Sequence, residues 1–339
     1  MRRVLALILL ALWLTACQGQ STVSPSPAPG NPVENAPAVS PTPSPSGTPT
    51  PPPQRMVVYA PADVNPEWVE TARAHLETLA GGGAPVEVLS EWSERAFGAD
   101  VPLVLALAEP PSLGDALNAA PQTRFVVLSA QTLPEAPNLT TLLADPQALA
   151  FAAGLTATVI SDDWRAAGLI PSGQPDIQEA FMNGGRYFCG VCSPGWPLGM
   201  NFPLTAGVDT DSGSDWAAVA AKLFDEGKVD VFYLSHAAVH PEVIAYLKGL
   251  VQFTQPVRVL GTVPPPEALS EQWAVTLDWD LTAALDEVFS DASAPPALVR
   301  VPVAFTHVNE ALFSPGRQKL VRGVLAEMQA GRIAPLSVP

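Results

Sequence analysis

Apolar and polar positions follow two alternating periods from residue 56 to the end of the chain. Short apolar runs, such as Met56 to Ala60 and Val229 to Leu234, end at proline or polar residues and predict buried strands. Longer segments, such as Glu67 to Leu79, carry apolar residues at helical spacing and end at glycine. Strands separated by about 10–15 residues of helix form right-handed βαβ units, so the pattern predicts an α/β fold with parallel sheets.

The predicted elements divide into two groups of strands. A break at Ser161-Asp162-Asp163-Trp164, after which a fresh strand begins, favours two doubly wound lobes over a single eight-stranded α/β barrel. Two such lobes leave a crevice at the carboxyl ends of their strands, where ligands of open α/β sheets bind. The predicted strands are 56–60, 86–89, 101–108, 124–128, 166–170, 204–208, 229–234, 257–260 and 299–305, and the predicted helices are 67–79, 146–160, 177–188, 215–226, 241–249, 281–289 and 315–330.

The first 17 residues have the order of a bacterial lipoprotein signal. Arg2 and Arg3 precede an apolar run from Val4 to Leu14, which is shorter than the roughly 20 residues that span a bilayer. Leu14-Thr15-Ala16-Cys17 resembles the lipobox, and the resemblance implies cleavage before Cys17 and acylation of that cysteine with chains such as palmitate. The alternative is an ordinary cleaved signal with an incidental cysteine.

Residues 18–54 are rich in proline, serine and threonine, and Glu34 is the single charge between Ser21 and Gln54. Such a composition cannot bury enough apolar area to offset the entropy of ordering it. We expect a disordered spacer that extends by up to about 3.1 Å per residue. A proline-rich ligand for small recognition domains is the alternative.

Composition limits the possible chemistry. The chain has 33 acidic and 17 basic residues and a formal charge of −16, which argues against nucleic-acid binding. Three cysteines and four histidines leave little material for a metal centre, and His240 of the pair His236/His240 precedes a proline that disfavours a shared helical face. No nucleophile elbow, phosphate-binding loop or zinc-protease motif occurs. We therefore expect no catalytic residues, metal or cofactor, and no enzyme.

Cys189-Gly190-Val191-Cys192 is a conspicuous local motif. An exported protein meets oxidising conditions, and a loop this short can bring two sulfurs together. We predict a structural disulfide between Cys189 and Cys192, with reduced or metal-binding thiols as alternatives. Redox catalysis is not expected, because the motif follows a predicted helix end whereas reactive thiolates favour a helix beginning.

One stretch resembles the basic membrane protein family, the nucleoside-binding lipoproteins of bacterial ABC importers. The likeness extends to the segments 228–249, 257–263 and 329–333. The matching positions between residues 151 and 184 are Phe151, Gly154, Ala157, Gly168, Phe181 and Gly184. The resemblance implies a type I periplasmic-binding-protein fold, with two lobes, three crossovers and hinge closure over a solute. The chain has Gly261-Thr262-Val263 where many relatives have Gly-x-Asp, whose aspartate holds a sugar hydroxyl.

With this resemblance, residues 55–160 and about 278–305 are assigned to an N-terminal lobe, and residues 161–277 and about 306–339 to a C-terminal lobe. Residues at the carboxyl ends of predicted strands, together with one aspartate beyond a strand, are the candidate ligand-binding positions: Tyr59, Ser129, Ser172, Asp209, His236 and Thr262.

These observations predict a monomeric solute-binding lipoprotein of an ABC importer. It would be anchored to the extracytoplasmic face of the cell membrane, bind a small polar and nucleoside-like ligand between its lobes, and deliver it to permease subunits. A ligand-sensing lipoprotein that signals to a membrane partner is the alternative.

Overall fold

The computed structural model describes residues 54–93, 97–252, 254–290 and 297–336. The predicted signal, Cys17 and almost all of the predicted spacer lie outside these residues. The strands are β1 (Met56–Tyr59), β2 (Val86–Leu89), β3 (Leu103–Ala106), β4 (Arg124–Ser129), β5 (Leu139–Leu143), β6 (Ala166–Leu169), β7 (Leu204–Ala206), β8 (Val231–Leu234), β9 (Val251–Gln252), β10 (Gln255–Pro256), β11 (Arg258–Gly261), β12 (Trp273–Trp279), β13 (Leu298–Arg300) and β14 (Val303–Thr306).

The helices alternate with these strands. They are α1 (Pro66–Ala80), α2 (Leu113–Ala119), α3 (Pro146–Ile160), α4 (Pro175–Cys189), α5 (Gly213–Gly227), α6 (Pro241–Lys248), α7 (Leu281–Ser290) and α8 (Pro315–Gln329). Several begin with a proline in the first turn, where the missing N–H has no helical partner to lose.

Two six-stranded sheets form the two lobes. The first has the order β13-β5-β4-β3-β1-β2 and is parallel throughout. The second has the order β14-β12-β11-β8-β6-β7 and is parallel except for its edge strand β14, which runs antiparallel to β12. Helices cover both faces of each sheet, and apolar cores lie on each side. The predicted α/β fold of two parallel-sheet lobes is confirmed.

Several elements differ from the sequence prediction. Strands β5 and β12 and helix α2 are absent from the predicted set, and β5 escapes notice because Thr140 and Thr141, although polar, are buried in it. The predicted strand 299–305 is wrong, because β13 and β14 belong to different sheets. Pro302 lies between them, where the chain passes from one lobe to the other. A proline fits there because no strand pairing requires a hydrogen bond from its nitrogen.

Three segments connect the lobes. The chain crosses after β5 at Ala144-Asp145, after β12 at Asp280, and between β13 and β14 at Val301-Pro302. The Val301 N–H donates to Leu143 O at 2.9 Å and the Asp280 N–H donates to Pro302 O at 2.8 Å, so the three crossovers are hydrogen-bonded to one another.

Packing assigns α3 and β14 to the second lobe. Residues 150–160 share an apolar core with the second sheet, with α4 and with α8. The sequence assignment placed residues up to 160 and up to about 305 in the first lobe, and the structure differs at both points. The first crossover comes before α3 instead of after it, because the apolar surface of this helix is buried against α4.

Two glycines bring α3 and α4 into close contact. A Cβ on Gly154 would lie 1.8 Å from Phe181 O, and a Cβ on Gly184 would lie 2.0 Å from Phe151 O. Each glycine therefore faces the backbone of the other helix, and no larger residue fits at this crossing.

Candidate functional site

A cavity of about 450 Å³ lies between the lobes at the carboxyl ends of their strands. Its wall in the first lobe consists of residues 130–132, which follow β4, and of Leu143 at the end of β5. Residues 145–147 line it at the first crossover and the start of α3. Its wall in the second lobe consists of residues 173–177, which follow β6 and begin α4. The strand ends of both sheets therefore contribute to one space, which we call the cleft cavity.

Neutral hydrogen-bonding side chains dominate the polar part of the cleft cavity. Gln131 and Thr132 come from the first lobe, Gln147 from the start of α3, and Gln174 from the second lobe. Asp145 also lines the cavity, but its Oδ1 accepts the Gln147 N–H at 2.9 Å and caps α3. Amide and hydroxyl groups both donate and accept hydrogen bonds, and the exposed Asp176 carboxylate in the first turn of α4 accepts them, so this surface suits a polar ligand without negative charge.

Ser172 and Asp209 meet beside the cleft cavity. The Ser172 hydroxyl donates to Asp209 Oδ2 at 2.7 Å, and the Gly173 N–H donates to Asp209 Oδ1 at 2.6 Å. The Gly173 hydrogen bond, followed by that of Ser172, holds the pKa of the Asp209 carboxyl below its ordinary value. Because Gly173 itself lines the cavity, Asp209 holds one wall in place.

Two hydroxyls at neighbouring strand ends of the second lobe are enclosed without a hydrogen-bond partner in the described part of the chain. Thr262 follows β11 and Ser235 follows β8, and these strands pair in parallel with Gly261 opposite Leu234. The register therefore places the two hydroxyl-bearing residues side by side. A buried polar group without a partner costs about 1–3 kcal/mol, but neither residue lines the cleft cavity and neither hydroxyl oxygen is accessible, so the pair lies outside the cavity wall.

Trp68 and Asp278 meet across the lobes at another point. Trp68 lies in the first turn of α1, and Asp278 lies near the end of β12 in the second sheet. Burial raises the pKa of the Asp278 carboxyl, while hydrogen bonds from the Trp279 backbone and the Trp68 indole lower it. Glu67 raises this pKa further, and His307 lowers it. This half-buried carboxyl thus lies two residues before the crossover at Asp280.

The other predicted ligand-binding positions have different surroundings. Tyr59 is buried and packs edge-on against Trp92, with ring centroids 5.0 Å apart. Ser129 is also buried, and its Oγ accepts the Gln131 N–H at 3.2 Å, so it shapes the turn that presents Gln131. His236 begins a short 3-10 helix after β8 and is exposed.

The structure thus brings Ser172 together with Asp209, and places Thr262 beside Ser235. Sequence reasoning missed Gln131, Gln147 and Gln174. Each of these lies two to five residues beyond a strand end, so extending the search past the last strand residue would have included them.

Other predicted features can be placed in the structure. Cys189 and Cys192 are joined by a disulfide, with their Cα atoms 5.1 Å apart, at the end of α4. His240 has extended backbone angles before Pro241, as its position requires. Among the described residues, no cluster of three or more His, Cys, Asp or Glu side chains is arranged for a metal ion. None of the described helices has both the length and the apolar character needed to cross a bilayer.

No protein-family model and no curated protein matches the sequence. Solved structures share the fold, and two of them are described by their similarity to this chain. An ABC-transporter solute-binding protein from Aeropyrum pernix is 13% identical, with a TM-score of 0.53 over 83% of this chain and 93% of that one. A transcriptional activator of the comK gene from Bacillus halodurans is 15% identical, with a TM-score of 0.52 over 83% of this chain and 99% of that one. These similarities, with the two wound lobes and three crossovers, define a type I periplasmic-binding-protein-like fold.

Proposed function

We propose that this protein binds a small polar solute in the cleft cavity and that the two lobes close over it. The observation that carries the proposal is that residues 130–132 of one lobe and residues 173–177 of the other line the same cavity. Its volume of about 450 Å³ falls within the range of roughly 300–1,000 Å³ that small-molecule sites occupy. Hinge motion about the three crossovers would bring the walls together and exclude water.

The ligand we propose is uncharged and rich in hydroxyl or amide groups, such as a nucleoside or a sugar. Gln131, Gln147 and Gln174 offer donors and acceptors without net charge. A nucleoside agrees with the resemblance to the basic membrane protein family, although the Gly-x-Asp sequence of that family is replaced here by Gly261-Thr262-Val263.

Delivery to an ABC importer is the proposed use of this binding. The lipobox at Cys17 would anchor the protein to the extracytoplasmic face of the cell membrane, and residues 18–54 would let the lobes reach a permease. The solute-binding protein from Aeropyrum pernix, which has the same fold, supports this use. Sensing is the second candidate, supported by the transcriptional activator from Bacillus halodurans with the same fold. A sensor would report lobe closure to a membrane partner instead of releasing its solute.

A thermal-shift screen of nucleosides, sugars and amino acids on residues 51–339 tests the binding proposal. A ligand that binds only the folded state stabilises it by RT ln(1 + [L]/Kd), which is about 2.7 kcal/mol at 100 times Kd. We expect a saturable rise in melting temperature with a nucleoside or a sugar. The absence of a shift with every nucleoside would exclude that ligand class, and no shift with any compound would contradict solute binding.

Site variants locate the binding within the cleft. Gln131→Ala and Gln174→Ala remove one amide from each lobe, and each should weaken a ligand by about five- to tenfold. Gln122→Ala is the matched control, because Gln122 is exposed in a turn at the amino end of β4, whereas the cleft cavity lies at the carboxyl ends of the strands. Equal affinity in all three variants would place the ligand outside the cleft cavity.

Two cellular measurements separate the remaining alternatives. Cys17→Ser should move the protein from the membrane to the soluble fraction, and unchanged membrane partitioning would refute lipid anchoring. Uptake of the identified ligand should fall when the gene is deleted if the protein serves an importer. Normal uptake with a lost transcriptional response would favour sensing.

A further inference from the structure

A second cavity of about 600 Å³ lies at the hinge and not in the cleft. All three crossovers line it, through Leu143 and Asp145, through Asp280, and through residues 300–303. Helix α8 and residues 331–335 complete the wall. We call it the hinge cavity. Its volume is also within the range of small-molecule sites.

The lining of the hinge cavity joins the apolar cores of the two lobes. Val301 belongs to the core of the first lobe, while Leu325 and Met328 of α8 belong to the core of the second. Phe305 packs against that second core. If the lobes close about the crossovers as proposed, a molecule in contact with both cores would favour one lobe arrangement over the others.

The charges around the hinge cavity favour an anion. Arg300 and Arg322 both line it, and neither forms an ion pair within the described part of the chain. The Arg322 guanidinium lies 5.3 Å from the centre of the Phe305 ring. The two acids of the lining serve as helix caps: Asp145 Oδ1 accepts the Gln147 N–H, and Asp280 Oδ1 accepts the Ala283 N–H at 2.9 Å. The lining thus has two negative and two positive side chains. The carboxylates are held at helix N-termini, whose dipoles offset their charge, whereas both guanidinium groups are exposed and available to an anionic ligand.

The first crossover separates the two cavities. Leu143 and Asp145 line both the hinge cavity and the cleft cavity. Any molecule that fixes the position of this segment from the hinge side also fixes one wall of the cleft. The two cavities are therefore coupled through a shared piece of backbone, and the coupling is reciprocal.

We propose that the hinge cavity is a regulatory site for a small amphipathic organic anion, with its apolar body among the residues of the two cores and its anionic group at Arg300 and Arg322. Occupation of this site changes the lobe arrangement and, given the proposed function, the affinity of the cleft for its solute. The ligand class includes aromatic sulfonates and medium-chain carboxylates.

Titration of residues 51–339 with 8-anilinonaphthalene-1-sulfonate, monitored by its fluorescence, tests the site directly. These residues form a compact unit that contains the described cores, so the N-terminal segment is not needed. We expect saturable binding that decanoate displaces. Arg322→Gln should weaken it about fivefold, and Ala326→Trp, at an exposed position of the lining, should abolish it by filling the cavity. Lys319→Gln, which removes the same charge from α8 outside the lining, should bind normally.

Binding that survives both Arg322→Gln and Ala326→Trp would overturn the site, and would point instead to exposed apolar residues such as Trp196 and Leu198. Hydrogen exchange with and without the sulfonate tests the coupling. We expect altered exchange in the cleft segments 130–132 and 173–177, and unchanged exchange there on saturation would overturn the regulatory role. Both measurements use the sulfonate alone, so a failed solute screen would contradict the proposed function without affecting this result.

Discussion

Replacing Gly184 by alanine is expected to destabilise the second lobe, although alanine is the better helix former. The new Cβ would lie 2.0 Å from Phe151 O and 2.8 Å from Leu155 N, both of which are backbone atoms of α3. Since Cβ contacts below 3.0 Å essentially do not occur, α3 and α4 must move apart by about 1 Å. That movement opens a crossing at which Phe151 and Phe181 are fully packed.

The expected size follows from two opposing effects. Gly to Ala in a helix interior contributes about 0.8–1 kcal/mol of stability through backbone entropy and propensity. Overpacking of a close-packed core costs about 1–3 kcal/mol, and the upper end applies here because the obstacle is backbone and cannot rotate away. We expect a net loss of about 2 kcal/mol, which lowers the melting temperature of a protein of this size by roughly 3–4 °C.

Urea unfolding of residues 51–339, followed by tryptophan fluorescence, measures the change. Gly323→Ala is the matched control, because Gly323 is exposed in the interior of α8 and a Cβ there meets nothing within 4 Å. The control should gain about 0.5–1 kcal/mol. If Gly184→Ala raised the urea midpoint as the control does, the close crossing of α3 and α4 would be refuted.

Two further predictions concern charged side chains. Arg258→Ala should cost about 2 kcal/mol, measured by urea unfolding, because the guanidinium is largely buried and forms two hydrogen bonds with Asp162, at 3.0 and 2.7 Å. Asp209→Asn should reduce the loss of stability between pH 6 and pH 2.5, measured as the shift in urea midpoint. The pKa of this carboxyl is lowered in the folded state by the Gly173 N–H, so its contribution is present above about pH 4 and is lost as the pH falls through the lowered pKa.

Matched controls accompany both variants. Arg73→Ala removes an arginine whose ion pair with Glu77 lies on the exposed face of α1, and it should leave the stability nearly unchanged. An equally small change in stability for Arg258→Ala would contradict the structural role of Arg258. Asp211→Asn removes the same charge two residues from Asp209 but keeps the hydrogen bonds from Gly173 and Ser172, so it is the control for the change in net charge. Parallel pH profiles for the wild type and Asp209→Asn would contradict the assigned hydrogen bonds.

The fold class and most of the elements follow from the pattern of residues along the chain. Alternation of apolar runs and helical patterns is a local property, so β2 and α3 have the predicted bounds and many other elements differ by one or two residues. The glycine and phenylalanine positions in 151–184 were visible in the sequence as well. Their reason, which is the close contact between α3 and α4, required coordinates.

The way in which these elements combine depends on contacts that form only in the folded chain. The order of parallel strands depends on contacts between distant segments, so the sheet that each strand joins cannot be read from periodicity. Pro302 interrupts an apolar run that looks like one strand but crosses between lobes, and α3 joins the second lobe through its packing. The cleft cavity unites Gln131 and Gln174 because strand ends from two sheets meet there. The sequence shows which residues are apolar, whereas a binding site depends on which residues, distant along the chain, the folded backbone brings close together.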